Sequence, residues 1–319
     1  MNFKQISFKI MSKMLIILFF VSIGHAGAQT VFTHSKGTTS VADNPKRVVV
    51  FDMGTLETYH ELGIPVVGVP NNIPEYLADY RSEKYVKAGS LKEPNLAAVR
   101  KLQPDLIIIS SRQAAAYDSL SAIAPTIFVG IDANEPWKSF EKNVRQIAKL
   151  HGKEKAAEKK LLELNKMVAN VRKLSATGTE KVLTVLYVNN RFVANGEHSR
   201  FGFAYDILGL KSAYQDTSAT PKPGTPRAAP AEGKSKAQEP YIAKLNPDYI
   251  LIIDRNAATT HEASGLNKVV NDDIKQSAAF KNNKVFLLHS DAWYLSGGGL
   301  LSTKLQITDI GKYVYGLFN

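Results

Sequence analysis

NLAAVRKLQPDLIIISSR (residues 95–112) and PYIAKLNPDYILIIDR (residues 240–255) are two versions of one unit, and their correspondence decides the fold. Pro104-Asp105 and Pro247-Asp248 lie 143 residues apart, and so do Arg112 and Arg255. Each copy reads as a short helix stopped by proline, a turn suited to aspartate, an apolar strand, and an arginine just past the strand's end. The strands, 106–110 and 249–253, are unbroken apolar runs rather than alternating ones. Such runs belong to parallel sheets buried on both faces.

The repeat extends upstream, where KRVVVF (46–51) and KVLTVL (181–186) have the character of first strands. Further strands are expected at 66–69, 126–129 and 285–288, and helices at 55–62, 114–123, 203–208 and 301–315. Strand and helix alternate, which predicts an α/β fold. Two similar Rossmann-like lobes with mainly parallel sheets are expected, at 29–150 and 177–319, joined by one long backbone helix within 151–176. That helix is KEKAAEKKLLELNKMVANVRKL (153–174), with no Gly or Pro and with apolar residues at helical spacing. At 1.5 Å per residue it makes a rod of about 33 Å. A single rigid connection argues against a wide hinge closure. A stand-alone coiled coil fits less well beside two α/β units.

Residues 1–28 read as a signal peptide: Lys4, Lys9 and Lys13, then MLIILFFVSI (14–23), then Ala26-Gly27-Ala28 as a small-residue cleavage site. The mature chain is expected to start at Gln29 and to reside in the periplasm. The absence of cysteine excludes disulfide scaffolds, thiolate metal sites, cysteine nucleophiles and a lipid anchor on cysteine. Formal net charge is +11, from 40 Lys+Arg against 29 Asp+Glu. Residues 217–236 hold four prolines and two glycines and predict a long, mobile loop.

Three groups of segments resemble a known family. They are FDMGTLET (51–58); GSLKEPNL (89–96); and SRFG (199–202) with NPDYI (246–250), DRN (254–256) and WYLSGGG (293–299). Their order and spacing resemble the periplasmic ferric-siderophore-binding proteins of ABC importers, in the branch that binds anguibactin, enterobactin-type catecholates and petrobactin. The resemblance spans nearly the whole mature chain. It implies a ligand cleft between two lobes and delivery to an inner-membrane permease with its ATPase. No intrinsic cofactor is implied; Fe(III) arrives as a siderophore complex.

The residues themselves suit such cargo. A ferric catecholate is a large anion, and arginine keeps its charge while its planar fork donates to several oxygens. Arg112 and Arg255 fall at equivalent strand ends, where open α/β sheets bind ligands. Arg200, after a strand ending near Val188 and a turn, is the third candidate. These three match the family's arginines by motif. In relatives that bind tetradentate siderophores, a tyrosine at the position of Tyr294 gives a phenolate to iron; here Tyr294 either does this or packs with Trp293. The family's partner histidine in the long loop is missing, and His198 and His261 are the nearest in sequence. Glu232 stands near that place as a carboxylate donor or a solvated loop charge, and Lys234 adds positive charge. Gly297-Gly298-Gly299 before a helix is also the kind of place that cradles phosphate. For permease docking the family uses an acid on each lobe's rim. Ala97 and Pro240 stand at those positions, so Glu93 and Glu239 are the nearest candidates.

A haem- or cobalamin-binding relative is the alternative, since Tyr294 would suit an axial ligand. An exported enzyme is a weaker reading: no Gly-x-Ser-x-Gly elbow, zinc helix or GxGxxG fingerprint appears. Nucleic acid is not expected as a partner, and a monomer is.

Overall fold

A computed structural model describes residues 29–215, 241–262 and 264–318. The expected loop 217–236 with Glu232 and Lys234, the docking candidate Glu239 and the export signal 1–28 lie outside the described residues. A hairpin of β1 (Gln29–His34) and β2 (Gly37–Ala42) leads the chain. The first lobe is built on β3 (Val48–Val50), β4 (Gly68–Val69), β5 (Val86–Lys87), β6 (Leu106–Ile109) and β7 (Thr126–Phe128). They form one parallel sheet in the order β5-β4-β3-β6-β7. The second lobe uses β8 (Lys181–Val188), β9 (Arg191–Asn195), β10 (Lys211–Ser212), β11 (Tyr249–Asp254) and β12 (Val285–Leu287). Its parallel order is β10-β8-β11-β12, with β9 antiparallel on β8.

The repeated unit folds the same way twice. Every residue of β6 and β11 is buried, and each large aliphatic side chain so buried contributes roughly 1.5–3 kcal/mol. The preceding helices, Leu96–Leu102 and Ile242–Leu245, both end on a left-handed residue, Gln103 (φ 44°) and Asn246 (φ 43°). Proline follows and bars continuation. The aspartate does more than turn the chain. Asp105 accepts from the main-chain N–H groups of Lys46 (2.6 Å) and Arg47 (2.8 Å), and Asp248 from that of Lys181 (2.7 Å). Each thereby fixes the start of the neighbouring first strand.

The linking helix, Glu154–Ser175, buries Ala157, Leu161, Leu164, Val168 and Val171. Lys160 pairs with Glu61 of the first lobe, and Glu163 with Lys304 of the second at 2.7 Å. One rod therefore packs against both lobes, on helix Pro136–Leu150 on one side and helix Leu300–Tyr315 on the other.

Two local expectations are corrected. In place of one helix at 114–123 there is a 3₁₀ turn, Ser111–Ala116, followed by helix Tyr117–Ser121. The cause is Gln113, buried, which accepts from Ser110 N–H (3.0 Å) and donates to the Leu91 carbonyl. This closes a tight turn directly after β6. Arg200 also does not follow β8 and a turn alone. Asn189 and Asn190, both at positive φ (50° and 60°), reverse the chain into β9, and Arg200 comes after β9.

Candidate functional site

Arg112 lies in the 3₁₀ turn after β6, and Arg255 is the first residue of helix Arg255–Thr260, directly after β11. Asp254 caps that helix by accepting from Asn256 N–H (2.9 Å) and Ala257 N–H (3.2 Å), which aims the chain beyond the sheet. Arg200 precedes helix Phe203–Asp206, and Tyr294 ends helix Ser290–Tyr294 after β12.

The four meet. Arg112 donates to the carbonyls of Tyr294 (2.7 Å) and Leu295 (2.9 Å), and Arg200 to that of Tyr294 (2.5 Å). Arg255 Nε donates to the Tyr294 hydroxyl (2.8 Å). Their guanidinium carbons stand 5.9, 4.8 and 5.7 Å from the centre of the Tyr294 ring. No two of these charges are then more than about 12 Å apart. Each pair repels by on the order of 1 kcal/mol at an effective dielectric near 20. Arg112 is half-buried, and burial lowers its pKa from the ordinary arginine value. Its hydrogen-bond partners are two main-chain carbonyls, and the Asp52 carboxylate attracts its charge without outweighing the burial. A desolvated cation so partnered favours the arrival of an anion.

Trp293 is 2% exposed, and its indole N–H donates to Asp309 (2.8 Å), itself 1% exposed. It faces a recess between the lobes rather than open solvent. That recess, about 150 Å³, is walled by Trp137, Phe140, Phe201, Phe203 and Trp293, with Arg112 and Arg200 also on its lining. The two histidines lie elsewhere: His198 Nδ1 stands 3.5 Å from Asp206 Oδ1, and His261 Nε2 bonds Asn72 Oδ1 (2.9 Å) across the lobes. Glu93 is exposed in the loop before helix Leu96–Leu102, where its N–H donates to Ser90 Oγ (2.9 Å).

The triple glycine does not present a phosphate cradle, because a carboxylate of the first lobe already occupies the helix end. Glu57, from helix Met53–Glu61, is 0% exposed. It accepts from Ser302 N–H (2.7 Å), in the first turn of helix Leu300–Tyr315, and from the Tyr76 hydroxyl (2.8 Å). Burial raises its carboxyl from 4.5 to about 7, outweighing hydrogen bonds from Ser296, Ser302 and Tyr76. Glycine is needed for this contact. A Cβ on Gly299 would stand 2.1 Å from Glu57 Oε2, and one on Gly54 would stand 2.8 Å from the Gly298 carbonyl carbon. Sequence reasoning missed Glu57, which looks like any solvated helix charge; the one signal was the glycine run downstream.

Known proteins share this architecture. The petrobactin-binding protein YclQ of Bacillus subtilis is 38% identical over 86% of this chain and 84% of its own. Its crystal structure superposes with a TM-score of 0.79 over 90% of this chain and 99% of that one. The ferric-anguibactin-binding protein FatB of Vibrio anguillarum is 31% identical over 88% of this chain and 86% of its own. The siderophore-binding protein BauB, solved with two molecules of acinetobactin and ferric iron, is 28% identical, with a TM-score of 0.79 over 89% of this chain and 98% of that one. With residues 48–292 matched by the family's pattern, the chain belongs to the periplasmic binding protein family.

Proposed function

We propose that this chain is the periplasmic receptor for a ferric catecholate siderophore, which it hands to an inner-membrane ABC permease driven by its ATPase. The observation that carries the reading is the convergence of Arg112, Arg200 and Arg255 on Tyr294. Three fixed cations gathered on one aromatic ring match a flat-sided anion with several negative charges. The relatives named above for petrobactin and anguibactin, and the neighbour holding ferric acinetobactin, support the same cargo. The protein binds and releases; it turns over no substrate, and its iron is cargo.

In this reading Arg112, Arg200 and Arg255 hold the anion. Tyr294 packs against a hexadentate complex, which leaves iron no open position. With a tetradentate ligand the Tyr294 oxygen takes one of two open positions, and Glu232, water or nothing takes the other. Iron itself promotes loss of the phenol proton, as metal ions do for bound donors. Lys234 adds charge from its loop, Trp293 lines the recess beside Arg112 and Arg200, and the ring stacked on Tyr294 is Phe201, with centres 6.5 Å apart, rather than Trp293. Glu93 and Glu239 dock the permease, one per lobe. Residues 1–28 direct export, and the mature protein acts as a monomer.

The test is quenching of intrinsic fluorescence by a panel of ferric siderophores, with haem and cyanocobalamin beside them. Sub-micromolar binding of at least one ferric catecholate is expected. Weak binding of every catecholate together with tight binding of haem would reject the reading.

A further inference from the structure

The side of the linking helix Glu154–Ser175 that faces away from the lobes carries a row of lysines. Its buried residues, Ala157, Leu161, Leu164, Val168 and Val171, share the inward side. At 3.6 residues per turn, Lys155, Lys159, Lys166 and Lys173 fall within about 40° of one another on the opposite side. All four are exposed, and Leu162, 56% exposed, lies in the same row. From Lys155 to Lys173 the row runs about 27 Å along a rod with no Gly or Pro to bend it.

The row carries charge of one sign. Of the helix's three acids, Glu158 is held by Arg145 of helix Pro136–Leu150 (2.7 Å) and Glu163 by Lys304 of helix Leu300–Tyr315 (2.7 Å). Glu154 lies on the flank, about a quarter turn from Lys155. Among the described residues no row lysine has an ion pair or a side-chain hydrogen bond; Lys159 attracts Glu163 at longer range. A solvated helix face ordinarily alternates the two signs. Helix Pro136–Leu150 does so, with Lys138 on Glu135 (3.0 Å) and Arg145 on Glu141 (2.9 Å).

We infer that this outer face is a docking surface for an anionic phospholipid bilayer. A row made of lysine, with no arginine or aromatic side chain in it, is poor material for a protein interface, where lysine is depleted and Tyr, Trp and Arg supply the anchors. It suits a surface whose negative groups move laterally to meet fixed charges, as lipid headgroups do. Clusters of four or more lysines on a helix bind such surfaces, and a straight row sets all its ammonium groups on one plane at once. The lysine stems and Leu162 add apolar length that reaches into the headgroup layer. At about fivefold in affinity per lysine the contact is reversible. It lays the rod flat on the membrane with the lobes on the far side, and it does not depend on what the cleft binds.

The test is flotation of the protein with vesicles of equal parts phosphatidylglycerol and phosphatidylethanolamine, with phosphatidylcholine vesicles and soluble polyglutamate beside them. Co-flotation with the anionic vesicles alone is expected, and its loss at about 1 M salt, where the screening length falls to about 3 Å. The double variant Lys159→Gln with Lys166→Gln should weaken partition about twentyfold. Lys101→Gln with Lys281→Gln makes the same change in net charge at exposed positions, one on each lobe, and should weaken it less than about threefold. Glutamine preserves helix propensity; thermal unfolding checks each variant, and Lys155→Gln with Lys173→Gln serves if the first pair does not fold. Equal losses in the row and lobe variants would assign the binding to diffuse net charge and overturn the inference. So would equal flotation with phosphatidylcholine, or binding of polyglutamate without flotation, which would point to an acidic protein partner. Affinity for a ferric catecholate should be the same in the row variant as in wild type, so the vesicle result and the receptor reading stand or fall separately.

Discussion

The lobes meet in two chemically opposite ways a few residues apart. At Gly298-Gly299 the contact is buried and fixed: Glu57 crosses from the first lobe and satisfies the first turn of helix Leu300–Tyr315, with no room for a methyl group on either glycine. At Tyr294 the contact is charged: Arg112 crosses from the first lobe but spends its hydrogen bonds on main-chain carbonyls. The first contact is complete within the protein. The second gathers three cations on one ring, an arrangement suited to an anionic ligand. The comparison teaches how one short segment, 294–299, serves two ends. The seam holds the lobes at a set spacing, and the cage uses that spacing to recognise a ligand.

Substitutions that separate the two contacts are therefore informative. The largest effect is expected at the seam. Gly299→Ala puts a methyl group on the Glu57 carboxylate and should cost on the order of 3 kcal/mol or more of unfolding free energy, read by denaturant titration. Next is Glu57→Gln, read against pH. The unfolded carboxyl ionises near 4.5 and the folded one near 7. The native state holds the extra proton between those values, so wild-type stability falls as pH rises from 4.5 to 7. The loss is roughly 3 kcal/mol, and the curve levels off above that window. Glu57→Gln should remove that slope; an unchanged slope would mean the carboxylate is not buried as described.

The cage should respond in affinity rather than stability. Replacing Arg112, Arg200 or Arg255 by Ala should weaken a ferric catecholate tenfold to a hundredfold, about 1.5–3 kcal/mol each. Arg145→Ala should change affinity little, since that side chain is engaged with Glu141 (2.9 Å) and Glu158 (2.7 Å) on a helix surface. Equal losses at Arg145 and Arg112 would dissolve the distinction between cage and surface. The smallest effect is Tyr294→Phe with a hexadentate ligand, within about threefold, because only the hydrogen bond from Arg255 is lost. With a tetradentate ligand the same substitution should remove a charge-transfer absorption band. Identical spectra for wild type and variant would show that the Tyr294 oxygen does not reach iron.

Much of the fold was legible because parallel strands are buried on both faces and so leave unbroken apolar runs; β6 and β11 stood out for that reason. The repeat also exposed Arg112 and Arg255, since strand ends in two similar lobes mark equivalent places. Helix Pro136–Leu150 went unread although proline at its start and the spacing of Phe140, Val144 and Ile147 signal it. The β9 hairpin went unread although Asn189-Asn190 is a turn pair. Other features had no local trace. The burial of Glu57 depends on Ser302 and Gly299, well over two hundred positions away. That three arginines close on one tyrosine is set by the spacing of the lobes, which no single segment encodes.

Charge is the centre of the account, and one comparison tests it most directly. Wild-type protein is titrated at 0.15 M-scale salt, where exposed charges are screened beyond about 8 Å, with a trianionic ferric tris-catecholate and a neutral ferric tris-hydroxamate of similar size. The arginine cage predicts that the trianion binds at least about a hundredfold more tightly, a difference of roughly 2.7 kcal/mol; equal affinity for the two complexes would contradict it.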